Sequence, residues 1–473
     1  MKKSGIVLLM MFIVSQVMFG SARMGSLGEY FTFIVSDIDT DVEMFPTHLE
    51  DYESKHIQLF TYVNEPDRYS STDKINLAIL PLLKRFSYKL FLGVDGNEEN
   101  DFFQNYHLDE KIDQKYYYYP YSSYRGRRIS TDGFEAATMK NLFSFKISEN
   151  FSLGSVISIT KEINDSYQDA DSEDTNSEQT FLMDQEISLD DFSALLNLSI
   201  KNFFLNEISL SYRHFEYFED YYRTQTEYYS NNFDNYRVLE RTDFSDSDET
   251  GKTYKVVLLH EKKEDKKIKR LYSEFSYSEY DLSYYDSDYE MRKDYNDNEL
   301  DDTDLMKEVL KSSYENTHYE GCLGWGNEYK KKKLTTFYGL KLSGFLGEFT
   351  GTKDFSSLEI HEEIFQDSIV TDSLFTEDDY LIGGKEYRAS VELPFGAKFK
   401  VNKKINIYGG LGYKVTRLYL QNDYSENFYR WHTETYSSLG AEYNPIKELM
   451  LNICFNGSLT SIKHWVVDMK YLF

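Results

Sequence analysis

The sequence has few of the residues that interrupt strands or cross-link a fold. Among 473 residues there are only 6 prolines and 2 cysteines. Proline removes a donor from a β-ladder, so its scarcity favours a chain made of many strands. The cysteines, Cys322 and Cys454, are too few for a disulfide framework, and we interpret both as small apolar strand residues.

The chain also lacks a long apolar run after its N-terminal stretch, and its 52 basic residues are outnumbered by 80 acidic ones. A transmembrane helix needs about 20 consecutive apolar residues, and the mean hydropathy of -0.58 agrees that none is present. The sequence therefore excludes a helical membrane protein. The formal net charge is -28, which would repel phosphates, so we expect no nucleic-acid partner.

Motifs for catalysis and cofactor binding are missing as well. None of the 9 histidines has a partner at H-x-x-x-H spacing, and no G-x-S-x-G is present. We predict that the protein is not an enzyme and has no catalytic residue, no dedicated metal ligands and no cofactor.

One acidic run resembles a calcium loop but fails its requirements. In the run that begins at Asp294, Glu299 and Leu305 occupy the positions that need glycine and glutamate. A solvated acidic loop is the favoured interpretation, and loose divalent-cation binding by Asp301, Asp302 and Asp304 is the alternative.

The N-terminus has the three parts of a secretory signal. A basic start at Lys2 and Lys3 precedes an apolar run over 6–20, and small residues follow up to Ala22. We predict a signal peptide over 1–22, cleaved after Ala22. Residues 23–54, which precede the first clear strand, are predicted to form a periplasmic segment or a plug.

Aromatic residues are abundant, with 42 Tyr and 34 Phe, and they join a period-two pattern. From Tyr387 to Phe399 the odd positions are apolar and the even positions are polar or small, and the pattern continues over 405–415 after a short turn. Successive side chains of a strand point to opposite faces of the sheet. One face of this hairpin is therefore expected to contact an apolar environment and the other face water. The pattern recurs in other parts of the chain: 143–147, 151–159, 196–200, 208–212, 338–346, 449–455 and 462–473.

The strands are joined in two different ways. Short turns are predicted near 83–85, 148–150, 401–403 and 445–447. Long acidic connections are predicted near 97–132, 164–178, 218–250, 281–315 and 351–384. Outer-membrane barrels show this asymmetry, with short periplasmic turns and long external loops.

The C-terminal residues carry a resemblance to a known class. The ending from Asp468 to Phe473, with Tyr471 before the terminal phenylalanine, resembles the assembly signal of bacterial outer-membrane β-barrel proteins, and the hairpin around Phe395 and Leu411 is similar to porin strands. The resemblance implies a Gram-negative outer-membrane location and recognition by the barrel-assembly machinery, with membrane lipid and glycolipid as partners.

We therefore predict an all-β fold, a transmembrane antiparallel up-and-down β-barrel over 55–473. It should have about 16 strands (roughly 14–18), given about 9–11 spanning residues each. Charged side chains on the lipid face would cost about 2–4 kcal/mol at the midplane, so the polar faces must line the interior. The predicted lumen-facing residues are Arg388, Glu392, Lys398, Lys404 and Lys414.

Three functions are compatible with the sequence. The first is a porin-like channel for small hydrophilic solutes. The second is a carrier of hydrophobic molecules that resembles the long-chain fatty acid transporters, with residues 23–54 as its plug. The third is a surface or structural barrel that binds a partner through its acidic loops.

Overall fold

The computed structural model describes most of the chain after residue 37. The described residues are 38–52, 55–64, 73–80, 85–96, 114–116, 122–129, 136–174, 177–201, 205–232, 235–296, 299–365, 368–422, 427–458 and 461–472. The predicted signal peptide over 1–22 and the terminal Phe473 lie outside these residues.

The described chain is almost entirely β-structure. Its strands are β1 (His56–Asn64), β2 (Asp73–Leu80), β3 (Phe86–Gly96), β4 (Gln114–Tyr116), β5 (Ser122–Ile129), β6 (Ala136–Ser148), β7 (Phe151–Asp174), β8 (Ser177–Ile200), β9 (Glu207–Asn232), β10 (Asn235–Glu264), β11 (Lys267–Asn296), β12 (Glu299–Lys331), β13 (Leu334–Phe365), β14 (Ser368–Lys400), β15 (Ile405–Asn422), β16 (Phe428–Ile446), β17 (Leu449–Ser458) and β18 (Ser461–Leu472).

The strands close into a ring. β1 pairs antiparallel with β2 on one side and with β18 on the other, β3 pairs with β6, and every later strand pairs with its neighbour in sequence. The barrel therefore has 16 strands. The β4–β5 hairpin stands outside the ring and pairs with the far end of β7. The predicted all-β, antiparallel up-and-down barrel of about 16 strands is confirmed.

The barrel wall is far taller on one side than a membrane requires. β12 and β14 have 33 residues each, which is about 110 Å at about 3.3 Å per residue, whereas about 9–11 residues cross a bilayer. The described residues of the segments predicted as long connections are therefore strands. Those of 164–178, 218–250, 281–315 and 351–384 continue the paired ladders. The prediction of loops there was wrong, and β4 and β5 lie within 97–132. We call this projecting part of the wall the extension.

An apolar outer belt surrounds the end of the barrel that carries the short turns. Leu393, Phe395 and Leu411 point outward and are 50–54% exposed. On β14 the belt runs from Phe399 to Tyr387, about 40 Å along the strand and about 30 Å at a tilt of about 40°, close to the ~25 Å apolar band of outer-membrane barrels.

A row of tyrosines forms the edge of the belt nearest the extension. These tyrosines are in register on consecutive strands, so that each is opposite the next or is separated from it by Leu346 alone. The row consists of Tyr212, Tyr254, Tyr277, Tyr319, Tyr387, Tyr419 and Tyr429. The rings of Tyr419 and Tyr429 stack with centroids 4.4 Å apart. Amphipathic rings at this level mark a boundary between lipid and water.

Two short helical turns precede β1. The helix α1 (Ile38–Met44) is followed by a 3-10 helix over Pro46–Asp51. Phe45 has φ -128° and ψ 74°, a non-helical conformation. Because a following proline disfavours the α region, α1 ends here. No helix among the described residues is long and apolar enough to cross a membrane.

Candidate functional site

The inner wall at β13–β16 carries a row of charges of alternating sign. Lys341, Glu392, Lys414 and Glu434 are opposite one another in turn on four adjacent strands. Lys341 Nζ lies 3.9 Å from the Glu392 carboxylate, and Lys414 Nζ lies 3.5 Å from that of Glu434. Opposite charges directly across a sheet attract, and here they leave a polar, nearly neutral surface.

A second polar layer lies nearer the short turns. Lys398 Nζ is 3.7 Å from the Glu442 carboxylate and 4.8 Å from the centroid of the Tyr408 ring. Tyr408 Oη and Asn406 Nδ2 donate to the two carboxylate oxygens of Glu442, at 2.5 and 2.6 Å. Glu442 thereby holds three side chains from β14 and β15 together on the inner face.

The remaining predicted site residues lie at the margins of this wall. Arg388 pairs with Glu386, and its guanidinium lies 4.6 Å from the centroid of the Phe345 ring. Lys404 lies in the turn before β15, exposed, and its Nζ donates to the carbonyl oxygen of Pro445 at 2.9 Å, so it sits at the rim. Tyr471 is half-buried on β18, where its backbone is opposite Ile57 and Leu449.

The opposite side of the lumen holds residues 38–52, which we call the N-terminal segment. Its apolar side chains pack against inward-facing residues in two clusters. Val42, Leu49 and Tyr52 pack with Leu80, Leu142 and Val156, and Phe45 packs with Val257, Leu259 and Tyr272. Burial of these side chains stabilises the segment inside the barrel by roughly 1.5–3 kcal/mol each.

A buried ion pair anchors α1 to the wall. Arg270 Nη1 donates to Asp41 Oδ1 at 3.1 Å and Arg270 Nη2 donates to Asp41 Oδ2 at 2.5 Å. Both side chains are 1% exposed. Arg270 Nε also donates to Glu261 on β10 at 2.5 Å, and Glu261 in turn lies 2.9 Å from Lys263. The planar guanidinium satisfies two carboxylates at once, as its fork of donors allows.

A network of polar side chains anchors the 3-10 helix beside this ion pair. Asn197 Oδ1 accepts from the backbone N–H of Thr47 at 3.2 Å and lies 2.6 Å from the Thr47 hydroxyl. Asn197 Nδ2 donates to Glu207 at 3.1 Å, and Ser209 Oγ donates to the Met44 carbonyl at 2.6 Å. Polar groups buried in this way must be paired, which fixes the position of the segment.

His48 lies between the ion pair and this polar network. Its Nδ1 lies 3.8 Å from Asp41 and its Nε2 lies 3.5 Å from Glu207. Burial on its own disfavours the imidazolium, but the hydrogen bond to Glu207 and the charge of Asp41 outweigh this effect, and the pKa of His48 is raised above its usual value.

The wall approaches the backbone of the segment closely at Gly154. A Cβ at that position would lie 2.8 Å from Pro46 Cγ and 2.8 Å from the backbone nitrogen of Thr47, so β7 needs glycine there. Three lysines of the wall also contact the segment: Lys140 Nζ lies 2.8 Å from Glu43, and the ammonium groups of Lys89 and Lys470 lie 5.4 and 4.7 Å from the centroid of the Tyr52 ring.

Sequence reasoning did not identify the anchoring residues. Asp41 and Arg270 are 229 positions apart, and no local pattern joins an acidic residue of a short helical turn to one arginine of a strand. The period-two pattern does place Arg270 on the inner face, opposite to the outward-facing Leu271. An inward arginine near the middle of a belt is the signal that could have suggested a buried partner.

These features define the class of the protein. The ring of strands has no open edge within the belt, its outer face is apolar and its lumen is polar. Closure of this kind satisfies every backbone group within hydrocarbon. The chain is a transmembrane β-barrel of the type found in bacterial outer membranes.

No known protein family matches the sequence, and no curated protein sequence matches it. Among solved structures, the siderophore receptor PirA from Acinetobacter baumannii is 8% identical with a TM-score of 0.29, covering 89% of this chain and 81% of that one. The ferric-catecholate import receptor Fiu from E. coli K12 is 7% identical with a TM-score of 0.31, covering 89% and 82%. We take no function from likenesses this distant.

Proposed function

We propose that the protein is an outer-membrane transport barrel for small hydrophilic solutes, with the N-terminal segment acting as a plug that narrows its lumen. The observation that carries the proposal is the Asp41–Arg270 pair, buried between segment and wall. The extension then faces the cell exterior and the short turns face the periplasm, as in other barrels of this class.

The lining of the lumen favours hydrophilic cargo. The inner wall away from the segment presents Lys341, Glu392, Lys414 and Glu434 in one row. A solute that passes between this row and the segment exchanges water for charged and hydrogen-bonding groups, and small ions or polar molecules tolerate that exchange. A carrier of hydrophobic molecules would need an apolar pocket, so this lining disfavours that alternative.

The attachment of the segment argues for control of the passage. A 16-stranded barrel can leave an aqueous channel, and the segment contacts the wall from β18 through β3 and β6 to β11. Removing one partner of a buried ion pair typically costs about 3–5 kcal/mol. A passage blocked by an anchor of this strength opens rarely until the anchor is weakened.

The test is single-channel conductance of the purified protein in a planar bilayer. Asp41→Asn removes the anchor on the segment and leaves Arg270 paired with Glu261. Glu43→Gln is the matched control, because it removes a partly exposed ion pair from the same helix. We expect small or rare conductance steps for the wild type and Glu43→Gln, and larger or more frequent steps for Asp41→Asn.

Two outcomes would contradict the proposal in different ways. Equal, steady and large conductance for all three proteins would show that the segment does not limit passage, which leaves a passive pore. Silence of all three, when heat-modifiable migration proves them folded, would overturn transport altogether.

The extension favours a second candidate function, a surface barrel that binds a partner. Strands that continue for tens of ångströms beyond the belt add nothing to a membrane pore, but they provide a large exposed surface. Binding of cells or surface glycolipid that is lost when the extension is trimmed would support this function. The expected roles of the barrel-assembly machinery, membrane lipid and glycolipid as partners, and the absence of enzyme activity, stay predictions.

A further inference from the structure

Three metal-binding side chains converge on the inner face of the extension, close to the β11–β12 tip. Asp302 and Asp304 lie two positions apart on β12, so both point to the same face. His361 on β13 is directly opposite Asp304. One ligand atom from each of the three residues lies within 4.8 Å of the other two.

The geometry points to a binding site for a divalent first-row transition cation, and we propose that Asp302, Asp304 and His361 are its protein ligands. His361 Nδ1 lies 2.5 Å from Asp304 Oδ1 and 3.5 Å from Asp302 Oδ1. Donors that share one tetrahedral zinc ion at about 2.0–2.2 Å are separated by roughly 3.3–3.6 Å. The His361–Asp302 separation lies in that range and the His361–Asp304 separation is shorter, so small side-chain rotations bring all three atoms onto one ion.

The register of the sheet, and not chance proximity on a flexible loop, sets this arrangement. The backbone of β12 is paired on both sides here, with Arg292 opposite Asp304 on β11 and His361 opposite it on β13. Ligands held on paired strands lose little freedom when a cation binds, and this favours affinity.

The surrounding charges are compatible with a bound dication. Arg292 lies 3.6 Å from the second oxygen of Asp304, but its closer contact is with Asp294 at 2.6 Å. Asp294 also pairs with Arg237 at 2.6 Å. Asp294 cancels the charge of one of the two arginines, and the Asp302 and Asp304 carboxylates outweigh the other, so these five groups carry a net charge of about -1, which attracts a dication.

The ligand types indicate which cations bind. An imidazole nitrogen suits zinc, copper, nickel and iron, whereas calcium and magnesium prefer oxygen ligands alone. The exposed fractions of Asp304 and His361, 40% and 44%, leave room for water or a solute to complete the coordination. The site is independent of the plug: it lies on the extension, whereas the N-terminal segment lies inside the belt.

The test is titration of the full-length protein in detergent with Zn²⁺, and separately with Mg²⁺, by isothermal calorimetry. His361→Ala and Asp304→Asn remove one ligand each. His432→Ala is the matched control, because that exposed histidine lies 3.0 Å from the single carboxylate of Glu434. We expect one Zn²⁺ site per chain that weakens at least tenfold in both ligand variants and is unchanged in His432→Ala.

The folded state of each variant is checked by heat-modifiable migration, which the exposed position of these side chains should preserve. Zn²⁺ binding that is unchanged in His361→Ala would overturn the proposal. Equal binding of Mg²⁺ and Zn²⁺ would do so too, because it would mean that the acidic surface attracts cations without using the imidazole.

Discussion

Arg270 and Asp41 form a two-pronged ion pair, at 3.1 and 2.5 Å, that joins a wall strand to the helix inside the barrel. Both groups are shielded from water, so neither can exchange its partner for solvent. A pair of this kind contributes little relative to apolar side chains of similar shape, but it is costly to break from one side. The ion pair therefore determines the position of the N-terminal segment and adds little to the free energy of unfolding.

Arg270→Met should destabilise the folded barrel strongly. The change leaves the buried carboxylate of Asp41 with only the His48 imidazole, 3.8 Å away, and removes one of the two cations beside Glu261. We expect a loss of about 3–5 kcal/mol in the free energy of unfolding. Urea unfolding in lipid vesicles measures it. Lys140→Met is the control, since its pair with Glu43 is partly exposed and exposed pairs contribute about 0–1 kcal/mol. Similar losses for the two variants would refute the buried anchor.

Gly154→Val should displace the N-terminal segment while leaving the barrel closed. The new side chain would overlap Pro46 and the backbone of Thr47, where even a Cβ would be only 2.8 Å away. Gly409→Ala is the control, because its Cβ would meet the Ser438 carbonyl oxygen at an ordinary 3.8 Å. Labelling of a cysteine introduced at Thr47 with a water-soluble thiol reagent should accelerate in Gly154→Val and stay slow in the control. Slow labelling in both would mean that the segment is not seated against β7.

Docking of the segment should weaken as the pH rises. The pKa of His48 is raised in the folded protein, where burial opposes the charged form and Glu207 and Asp41 more than compensate for it. A raised pKa gives stabilisation that is complete below the ordinary histidine value of about 6.5 and is lost as pH rises through the higher folded value. Labelling at Thr47 should therefore accelerate on raising the pH above neutrality, after correction for thiol ionisation with an exposed cysteine. The same rise should be absent in His48→Gln, and its persistence there would assign it to another group.

The effect of a charged side chain on the outer face should depend on its position relative to the tyrosine row. It should destabilise the barrel within the belt and have little effect beyond the row. Leu393→Arg lies in the belt and should cost about 2–4 kcal/mol, with slower folding into vesicles. Leu381→Arg lies beyond the tyrosine row, where Leu381 is already 63% exposed, and should fold like the wild type. Equal folding of the two variants would show that the tyrosine row does not mark the membrane boundary.

The sequence predicted those parts of the fold that depend on local alternation. The period-two pattern over 387–399 and 405–415 predicted the alternation that β14 and β15 show, with Leu393 and Leu411 exposed on one face and Glu392 and Lys414 in ion pairs on the other, because lipid imposes an apolar face. Within the extension both faces meet water, so no such contrast exists, and the parts of β10 and β11 that lie there, 235–250 and 281–296, were predicted as connections. Their register depends on cross-strand contacts such as Arg237 with Asp294.

The candidate site could be predicted only in part, because the charged wall depends on local alternation and the N-terminal segment depends on long-range contacts. The charged wall follows from strand alternation, whereas the N-terminal segment is held by contacts with residues more than a hundred positions away, such as Thr47 with Asn197. Long-range pairs of this kind leave no periodic signal in a single sequence. The metal ligands are similar, since Asp304 and His361 are 57 positions apart and only the β12–β13 register brings them together.

Ion selectivity should respond to the charged row of the inner wall. In Lys414→Glu one of the two cations in the row becomes an anion beside Glu392 and Glu434, so the lumen gains negative potential and cations pass more readily. The reversal potential across a KCl gradient should shift toward the value for potassium. Lys385→Glu is the control, because Lys385 pairs with Glu348 on the outer face and lies next to the tyrosine row. An unchanged reversal potential in Lys414→Glu would mean that permeating ions do not pass along β13–β16, and the solute path would then have to be sought on the side of the N-terminal segment.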